Sequence, residues 1–204
     1  RVSICLDTPA GLTLSFPDKI ATILQQQHYN DNINDRAVHG GNLNMGKRIA
    51  MVGSGAVGGY VGGYLAHHGA DVTFIDTWPE HVETMNRDGL KLRGVTDAEN
   101  IDVKVRAVHV TQVQDLQKEG PFDIAFVSVK SYETQFAAAL IKGYLAEHGF
   151  IVSLQNAINE ERIAEVVGWN RTTGCIASTI SCALEAPGLV RRHVPLRGDS
   201  YTVF

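Results

Sequence analysis

Apolar and polar positions alternate with two different periods along the chain from Lys47 onward. The pattern predicts strands over residues 48–53, 71–76, 90–94, 103–110, 122–129 and 150–155, and helices over 56–68, 79–88, 133–148 and 159–167. Residues 90–94 and 103–110 alternate with period two, whereas 122–129 and 150–155 are near-continuous apolar runs that need cover on both faces. Strands that alternate with helices predict an α/β fold with a doubly wound, mostly parallel sheet.

The first 45 residues follow neither period for long. They are polar, with QQQ at 25–27 and NDNIND at 30–35, and only residues 18–26 have a short helical pattern. Such a composition does not bury enough apolar surface to offset the entropy of ordering the chain. We therefore expect residues 1–45 to form a weakly ordered extension and residues 46–204 to form the domain.

Composition narrows the function without identifying it. The chain has 204 residues and 44% of them are hydrophobic, so it can bury a sizeable core. A net charge of −4 is not typical of nucleic-acid binding, and no apolar run approaches the ~20 residues that span a bilayer. Cys5, Cys175 and Cys182 lack metal-ligand spacing and are typical of buried thiols in a reducing compartment. These features predict a cytoplasmic protein that binds no nucleic acid, membrane or metal.

A glycine-rich stretch follows the first predicted strand. Gly53, Gly55 and Gly58 form G-x-G-x-x-G between that strand and a predicted helix, the context of the dinucleotide-binding fingerprint of Rossmann-type folds. Gly53 would allow a tight turn, Gly55 the close approach of a pyrophosphate, and Gly58 close packing of helix on strand. N–H groups at the helix start would hold the phosphates. The predicted cofactor-binding residues are Gly53, Ser54, Gly55, Ala56, Val57 and Gly58. The alternative is a glycine-rich turn with a structural role only.

Asp76 closes the second predicted strand, 18 residues beyond Gly58. This spacing is close to the ~20 residues that separate the fingerprint from the acid that accepts hydrogen bonds from the adenosine ribose. A carboxylate there would repel the 2′-phosphate of NADP, and the TWPEH sequence that follows has no Lys or Arg to offset the repulsion. The sequence therefore favours NAD over NADP. A helix-capping or loop aspartate is the alternative.

Four segments occur in a specific order along the chain. They are KRIAMVGSGAVGGYVGGYLAHHGADVTFID, FDIAFVSVKSYET, VSLQNAINEERIAEVVG and APGLVRRH. Together they resemble the ketopantoate reductase (2-dehydropantoate 2-reductase) family, over residues 47–204. The resemblance implies that Lys130 lies near the cofactor and can approach an anionic substrate, and that Asn156 binds both cofactor and substrate.

The resemblance also implies a second domain. In this family a helical domain follows and supplies the general acid, whereas this chain ends at Phe204, so we expect it to lack that domain and assign no catalytic residue. The implied function is the cofactor-binding part of an NAD(P)-dependent oxidoreductase that transfers hydride from the nicotinamide dinucleotide to a small 2-keto acid. Apolar surface left exposed where the second domain would dock predicts a homo-oligomer.

Two positions depart from the family pattern. Many members carry a basic residue near the end of the second strand, where this chain has Asp76, and the residue after the QN pair is usually glycine, whereas here it is Ala157. Two alternatives therefore stay open: a non-catalytic dinucleotide-binding module, and an NAD-dependent hydroxyacid dehydrogenase with a different substrate. His193 has no partner in spacing and is interpreted as structural.

Overall fold

The computed structural model describes residues 46–176 and 180–195, so the expected extension 1–45, with its helical pattern at 18–26, lies outside the described residues. The strands are β1 Arg48–Val52, β2 Asp71–Asp76, β3 Leu90–Arg93, β4 Ile101–Val103, β5 Arg106–His109, β6 Phe122–Val127, β7 Leu145–Leu154, β8 Thr172–Cys175, β9 Cys182–Ala186 and β10 Leu189–Arg192. The α-helices are α1 Ala56–His67, α2 Pro79–Asp88, α3 Thr134–Lys142 and α4 Glu160–Val167. Short 3-10 helices span Asp97–Glu99, Val110–Glu119, Ser131–Glu133 and Trp169–Arg171. None of the helices in the two described ranges is long and apolar enough to cross a membrane.

Six strands form a fully parallel sheet in the order β5-β2-β1-β6-β7-β8. Counted by their own sequence order, these strands are arranged 3-2-1-4-5-6, which is the doubly wound order of dinucleotide-binding folds. After β5 at one edge, the chain crosses the sheet to β6, which lies beside β1. The strand order therefore reverses between β1 and β6. The predicted α/β fold class is confirmed.

The central strand β1 is buried on both faces. Ile49 and Met51 pack into one apolar cluster with α1 and α2, whereas Ala50 and Val52 pack into a second cluster with α3 and α4. Successive side chains of a strand point to opposite faces, so a strand inside a two-sided core has to be apolar throughout. This requirement explains why RIAMV shows no alternation.

A second sheet of four strands covers α1, in the order β4-β3-β10-β9. The sequence did not predict it. Three glycines let α1 fit between the two sheets. A Cβ at Gly62 would lie 2.6 Å from Phe74 of β2, while one at Gly63 would lie 2.9 Å from Leu90 of β3, and one at Gly59 would lie 3.0 Å from Val190 of β10. Helix α1 is therefore packed tightly on both sides.

Arg192 of β10 forms a buried polar link between the second sheet and α1. Its side chain is fully buried, its Nη2 lies 2.6 Å from Glu99 Oε2, and its Nε donates to the hydroxyl of Tyr60 at 2.8 Å. Its Nη1 also donates to the carbonyl of Val194. Burial raises the pKa of Tyr60 well above its ordinary value, so this hydroxyl stays protonated. Sequence analysis gave no indication of this link.

The predicted strand over 103–110 is wrong as a single element. Residues 101–103 form β4 in the second sheet, and residues 106–109 form β5 at the edge of the six-stranded sheet. Val103 pairs with Leu90, whereas Ala107 pairs with Phe74. Alternation predicts extended backbone correctly, but it does not show where a chain crosses from one sheet to another.

The predicted helix over 133–148 is also too long. Helix α3 ends at Lys142, and β7 begins at Leu145, which pairs with Phe122 of β6. Gly143 ends the helix, and Arg171 then binds the carbonyls of Ala146 and Gly149. These long-range contacts outweigh the helical pattern of the local sequence.

Candidate cofactor-binding site

A cleft of about 330 Å³ lies at the carboxyl ends of β1, β2, β6 and β7. It is centred where the strand order reverses between β1 and β6, the position at which open α/β sheets bind ligands. Seven of the nine predicted site residues line it, namely Gly53, Gly55, Ala56, Val57, Asp76, Lys130 and Asn156. Ser54 and Gly58 lie behind the lining, and the exposed His193 is not part of it.

Glycine occupies the three fingerprint positions for three different structural reasons. Gly53 has φ +91°, a backbone conformation that favours glycine. A Cβ at Gly58 would lie 2.0 Å from the carbonyl oxygen of Gly53, so no larger residue fits there without a backbone shift. Gly55 lines the cleft, and a Cβ there would meet no protein atom within 4 Å. The fold therefore requires Gly53 and Gly58, whereas the missing side chain of Gly55 leaves room in the cleft itself.

Ser128 follows β6 and contacts the same turn. Its Oγ would lie 3.0 Å from a Cβ at Gly58, and within the described residues this buried oxygen has no hydrogen-bond partner. Buried hydroxyl groups are usually paired. The open space in front of Gly55 and the unsatisfied hydroxyl of Ser128 beside Gly58 both fit a site that a polar ligand completes.

Asp76 holds the glycine-rich turn through Ser54. Its Oδ2 accepts hydrogen bonds from the backbone N–H and the hydroxyl of Ser54, both at 2.7 Å, and its Oδ1 accepts one from the N–H of Trp78 at 3.0 Å. A carboxylate has about four acceptor positions, so about one remains for a ligand. Asp76 therefore holds the adjacent loops, as in the loop-aspartate alternative given above, while it also lines the cleft. Ser54 is fully buried with its donors in use, and its contact with a cofactor stays a prediction.

His81, on the first turn of α2, also binds this turn and was not predicted. Its Nε2 lies 3.0 Å from the carbonyl oxygen of Ser54, and its Nδ1 accepts the backbone N–H of Gly188 at 2.9 Å. Because a backbone N–H only donates, Nδ1 carries no proton and the Nε2 proton points to Ser54. The imidazole is fully buried and stacks on Trp78, with ring centroids 5.7 Å apart. A lone histidine 107 residues from its partner leaves no signal in sequence spacing.

Lys130 and Asn156 follow β6 and β7 in two turns that Gln155 joins. Gln155 is 6% exposed, and its Nε2 donates to the carbonyl of Val129 at 2.7 Å and to Thr134 Oγ1 at 2.9 Å. The amide thus fixes the peptide immediately before Lys130. Sequence analysis used the QN pair as a family signal but assigned no role to its glutamine.

Asn159 forms a second connection between these turns. It is 1% exposed, and its Nδ2 donates to the carbonyl of Asn156 at 2.8 Å and to Ser131 Oγ at 3.3 Å. Arg162 donates from Nη1 to the carbonyl of Ser131 at 2.6 Å. The relative position of Lys130 and Asn156 is therefore set by buried amides behind the cleft rather than by the exposed turns themselves.

Ala157 follows Asn156 with φ 65°, the left-handed backbone region. Among the described residues it is the only non-glycine residue with positive φ. Glycine adopts this conformation without steric cost, which gives a physical reason for the glycine usual at this position in the resembled family.

Charge is unevenly distributed in the cleft. Asp76 and Glu133 are its anionic lining residues, and Lys130 is the one cation among the described residues that line it. Asp76 is the last residue of β2 and Lys130 follows β6, so the two charges lie on opposite sides of β1 in the sheet. An extended ligand that spans the reversal would meet a carboxylate in one half and an ammonium group in the other.

The parallel sheet and the glycine-rich turn define a Rossmann-type α/β domain with a ligand cleft at its strand-order reversal. A protein-family model, Ketopantoate reductase PanE/ApbA, matches residues 49–200. The chain belongs to the ketopantoate reductase family.

Individual relatives agree with this assignment. A 2-dehydropantoate 2-reductase from Pyrococcus abyssi (strain GE5 / Orsay) is 36% identical over 145 residues, which cover 71% of this chain and 44% of the relative. The crystal structure of 2-dehydropantoate 2-reductase from Geobacter metallireducens GS-15 superposes with a TM-score of 0.63 at 29% identity, over 72% of this chain and 46% of that one. The ternary structure of D-mandelate dehydrogenase with NADH and anilino(oxo)acetate shares the fold, with a TM-score of 0.63 at 24% identity over 72% and 46% of the two chains. The chain spans less than half the length of the curated relatives it matches.

Proposed function

We propose that this chain is the cofactor-binding part of an oxidoreductase that transfers hydride from a nicotinamide dinucleotide to a small 2-keto acid. The observation that carries the proposal is the cleft at the strand-order reversal, with the open Gly55 on one side and Lys130 and Asn156 on the other. Membership of the ketopantoate reductase family supports the reaction class. The nicotinamide, when bound, supplies the hydride.

The glycine-rich turn is proposed to hold the pyrophosphate. The N–H groups of Ala56 and Val57 lie in the first turn of α1, where helix N–H groups have no intrahelical acceptor. These donors and the positive end of the helix dipole favour an anion. No side chain at Gly55 separates them from the cleft.

NAD is proposed as the preferred cofactor over NADP. Asp76 keeps an acceptor for a ribose hydroxyl, and its charge opposes a 2′-phosphate. Within the described lining of the cleft, neither Lys nor Arg lies at the β2 side. Asp76 is also the observation that favours the second candidate function, an NAD-dependent hydroxyacid dehydrogenase with a different substrate.

Lys130 and Asn156 are proposed to contact cofactor and substrate. A cationic ammonium group suits the carboxylate of a 2-keto acid, and an amide offers donors and an acceptor to a ketone and a ribose hydroxyl. Tyr132, Phe136 and Ile158, which are 82%, 59% and 80% exposed, support the proposal that the chain self-associates or binds a further domain near the cleft. The scattered thiols support a cytoplasmic location.

The test is a titration of the purified chain with NADH and NADPH, followed by nicotinamide fluorescence, on two matched variants. Gly55→Ala and Gly143→Ala each add a methyl group where no protein atom lies within 4 Å, at negative φ values of −62° and −70°. Only Gly55 lines the cleft. We expect Gly55→Ala to weaken NADH binding at least about tenfold, equivalent to about 1.4 kcal/mol, and Gly143→Ala to leave it unchanged.

Each outcome bears on a different part of the proposal. Tighter binding of NADH than of NADPH by the unaltered chain would support the role of Asp76, and the reverse order would contradict it. Equal affinity of the two glycine variants for NADH would contradict the proposal that the glycine-rich turn binds the pyrophosphate. A folded chain that binds neither dinucleotide would contradict the proposed function as a whole.

A further inference from the structure

We propose that His81 is a positioning residue that aims the N–H of Gly55 into the cleft by holding the carbonyl of Ser54. The inference rests on the proposed function, because it concerns the turn assigned there to the pyrophosphate. His81 touches no ligand in this arrangement and acts through the backbone.

The geometry of the peptide bond carries the argument. The carbonyl of Ser54 and the N–H of Gly55 belong to one planar trans peptide, so they point in opposite directions. His81 Nε2 lies 3.0 Å from that carbonyl oxygen on the buried side. Gly55 lines the cleft on the other side. Fixing the oxygen therefore fixes the direction of the donor.

The other polar groups of Ser54 are held as well. Asp76 accepts both the N–H and the hydroxyl of Ser54 at 2.7 Å. The preceding residue is fixed by a bond from the N–H of Gly53 to the carbonyl of Ile75 at 2.8 Å. Among the described side chains, His81 alone binds the carbonyl of Ser54. This contact fixes the last polar group of Ser54.

His81 can orient this peptide because its own position is fixed from the second sheet. Gly188, in the turn between β9 and β10, donates its N–H to Nδ1 at 2.9 Å, and its carbonyl accepts the N–H of Lys91 in β3 at 2.8 Å. Gly188 has φ +69°, and a Cβ there would lie 2.9 Å from Thr84 of α2, so the turn fits closely against that helix. The imidazole therefore links the second sheet to the glycine-rich turn.

Three variants separate this role from a general effect on stability. His81→Gln keeps a donor and an acceptor on one side chain and can make both hydrogen bonds, whereas His81→Leu makes neither. Leu116→Ala is the control, because Leu116 is 1% exposed and packs in the apolar cluster on the opposite face of the sheet. Each protein is titrated with NADH by nicotinamide fluorescence and melted by circular dichroism.

We expect His81→Leu to raise the Kd for NADH at least about tenfold, equivalent to about 1.4 kcal/mol, at a temperature where it is folded. His81→Gln should recover most of that loss. Leu116→Ala should lower Tm and leave the Kd unchanged. If His81→Leu does not fold, His81→Asn takes its place, since its shorter amide carries the same groups but does not span both partners.

The outcomes distinguish this inference from the function on which it rests. A wild-type chain that binds no NADH contradicts the proposed function. A wild-type chain that binds NADH, together with a His81→Leu or His81→Asn chain of equal affinity, overturns the role of His81. A loss that His81→Gln does not recover, and that Leu116→Ala shares, means that affinity follows stability, and this also overturns the inference.

Discussion

Replacement of Arg192 by methionine tests its ion pair with Glu99 together with its hydrogen bond to Tyr60 of α1. The guanidinium group is fully buried and binds both Glu99 and Tyr60, at 2.6 Å and 2.8 Å. Glu99 is 29% exposed, so water can solvate the carboxylate that remains, whereas the buried hydroxyl of Tyr60 loses its partner. Loss of a hydrogen bond to a charged group typically costs about 1.5–3 kcal/mol. In a domain of this size each kcal/mol corresponds to a change in Tm of about 2–4 °C. We therefore expect Arg192→Met to lower Tm by about 3–12 °C, measured by calorimetry near neutral pH.

The neighbouring residue in the same strand provides a matched control. Arg191 pairs with Glu185 at 2.8 Å, but these side chains are 39% and 33% exposed. Partly exposed pairs contribute at most about 1 kcal/mol, so Arg191→Met should lower Tm by no more than about 4 °C. Equal losses in the two variants, or a negligible loss in Arg192→Met, would refute a stabilising role for the buried guanidinium group.

The pH dependence of the same pair has a definite sign. Burial acts to raise the pKa of Glu99, but the N–H of Val95 and the charge of Arg192 outweigh it and hold this pKa below its ordinary value of 4.5. A carboxyl group with a lowered pKa in the folded state stabilises the protein above its unfolded pKa, and that contribution is lost as pH falls through the folded value. The difference in Tm between wild type and Arg192→Met should therefore be greatest above about pH 5 and decrease below pH 4.

Two further predictions concern Ala157 and the cysteines. Ala157→Gly should raise Tm by about 1–4 °C in calorimetry, because glycine adopts the left-handed backbone at φ 65° without steric cost. The greater freedom of glycine in the unfolded chain offsets part of this gain. A lower Tm would show that the methyl group of Ala157 contributes to packing. Burial raises the pKa of Cys175 to about 11 and that of Cys182 to about 12, so both remain thiols at pH 7.5. In a Cys5→Ser variant, mass spectrometry should find the buried Cys175 alkylated by iodoacetamide only after urea is added, whereas the half-buried Cys182 should react slowly in the folded protein. Rapid labelling of Cys175 in the folded protein would contradict its burial.

The regular part of the fold could be predicted from local sequence. The segment from β1 to α2 has a buried strand, a glycine-rich turn, a helix and a strand that ends at Asp76, each marked within a few residues by period or by glycine and proline. The second sheet could not be predicted in this way. Its central strands β3 and β10 pair across about 100 residues, and short alternating segments do not specify their partners.

The same distinction applies to the candidate site: residues with a recognisable pattern could be predicted, whereas the residues that position them could not. The glycines and Asp76 have a fixed spacing that can be recognised, and Lys130 and Asn156 were placed by resemblance to a family. The residues that hold them in position, Gln155, Asn159 and His81, bind partners through contacts that depend on the folded chain. Amides and a lone histidine are common in any sequence, so only the fold distinguishes these from surface residues.

The position of α1 between two sheets has a consequence for how the cleft can move. Helix α1 packs with Gly59 and Gly63 against one sheet and with Gly62 against the other, which leaves it little room to slide or tilt. We therefore expect the glycine-rich turn at the start of α1 to be the more rigid side of the cleft. The opposite wall includes Phe136, which is 59% exposed and belongs to the short helix α3. We therefore expect any opening of the cleft to move α3 and the turn before it rather than the glycine-rich turn.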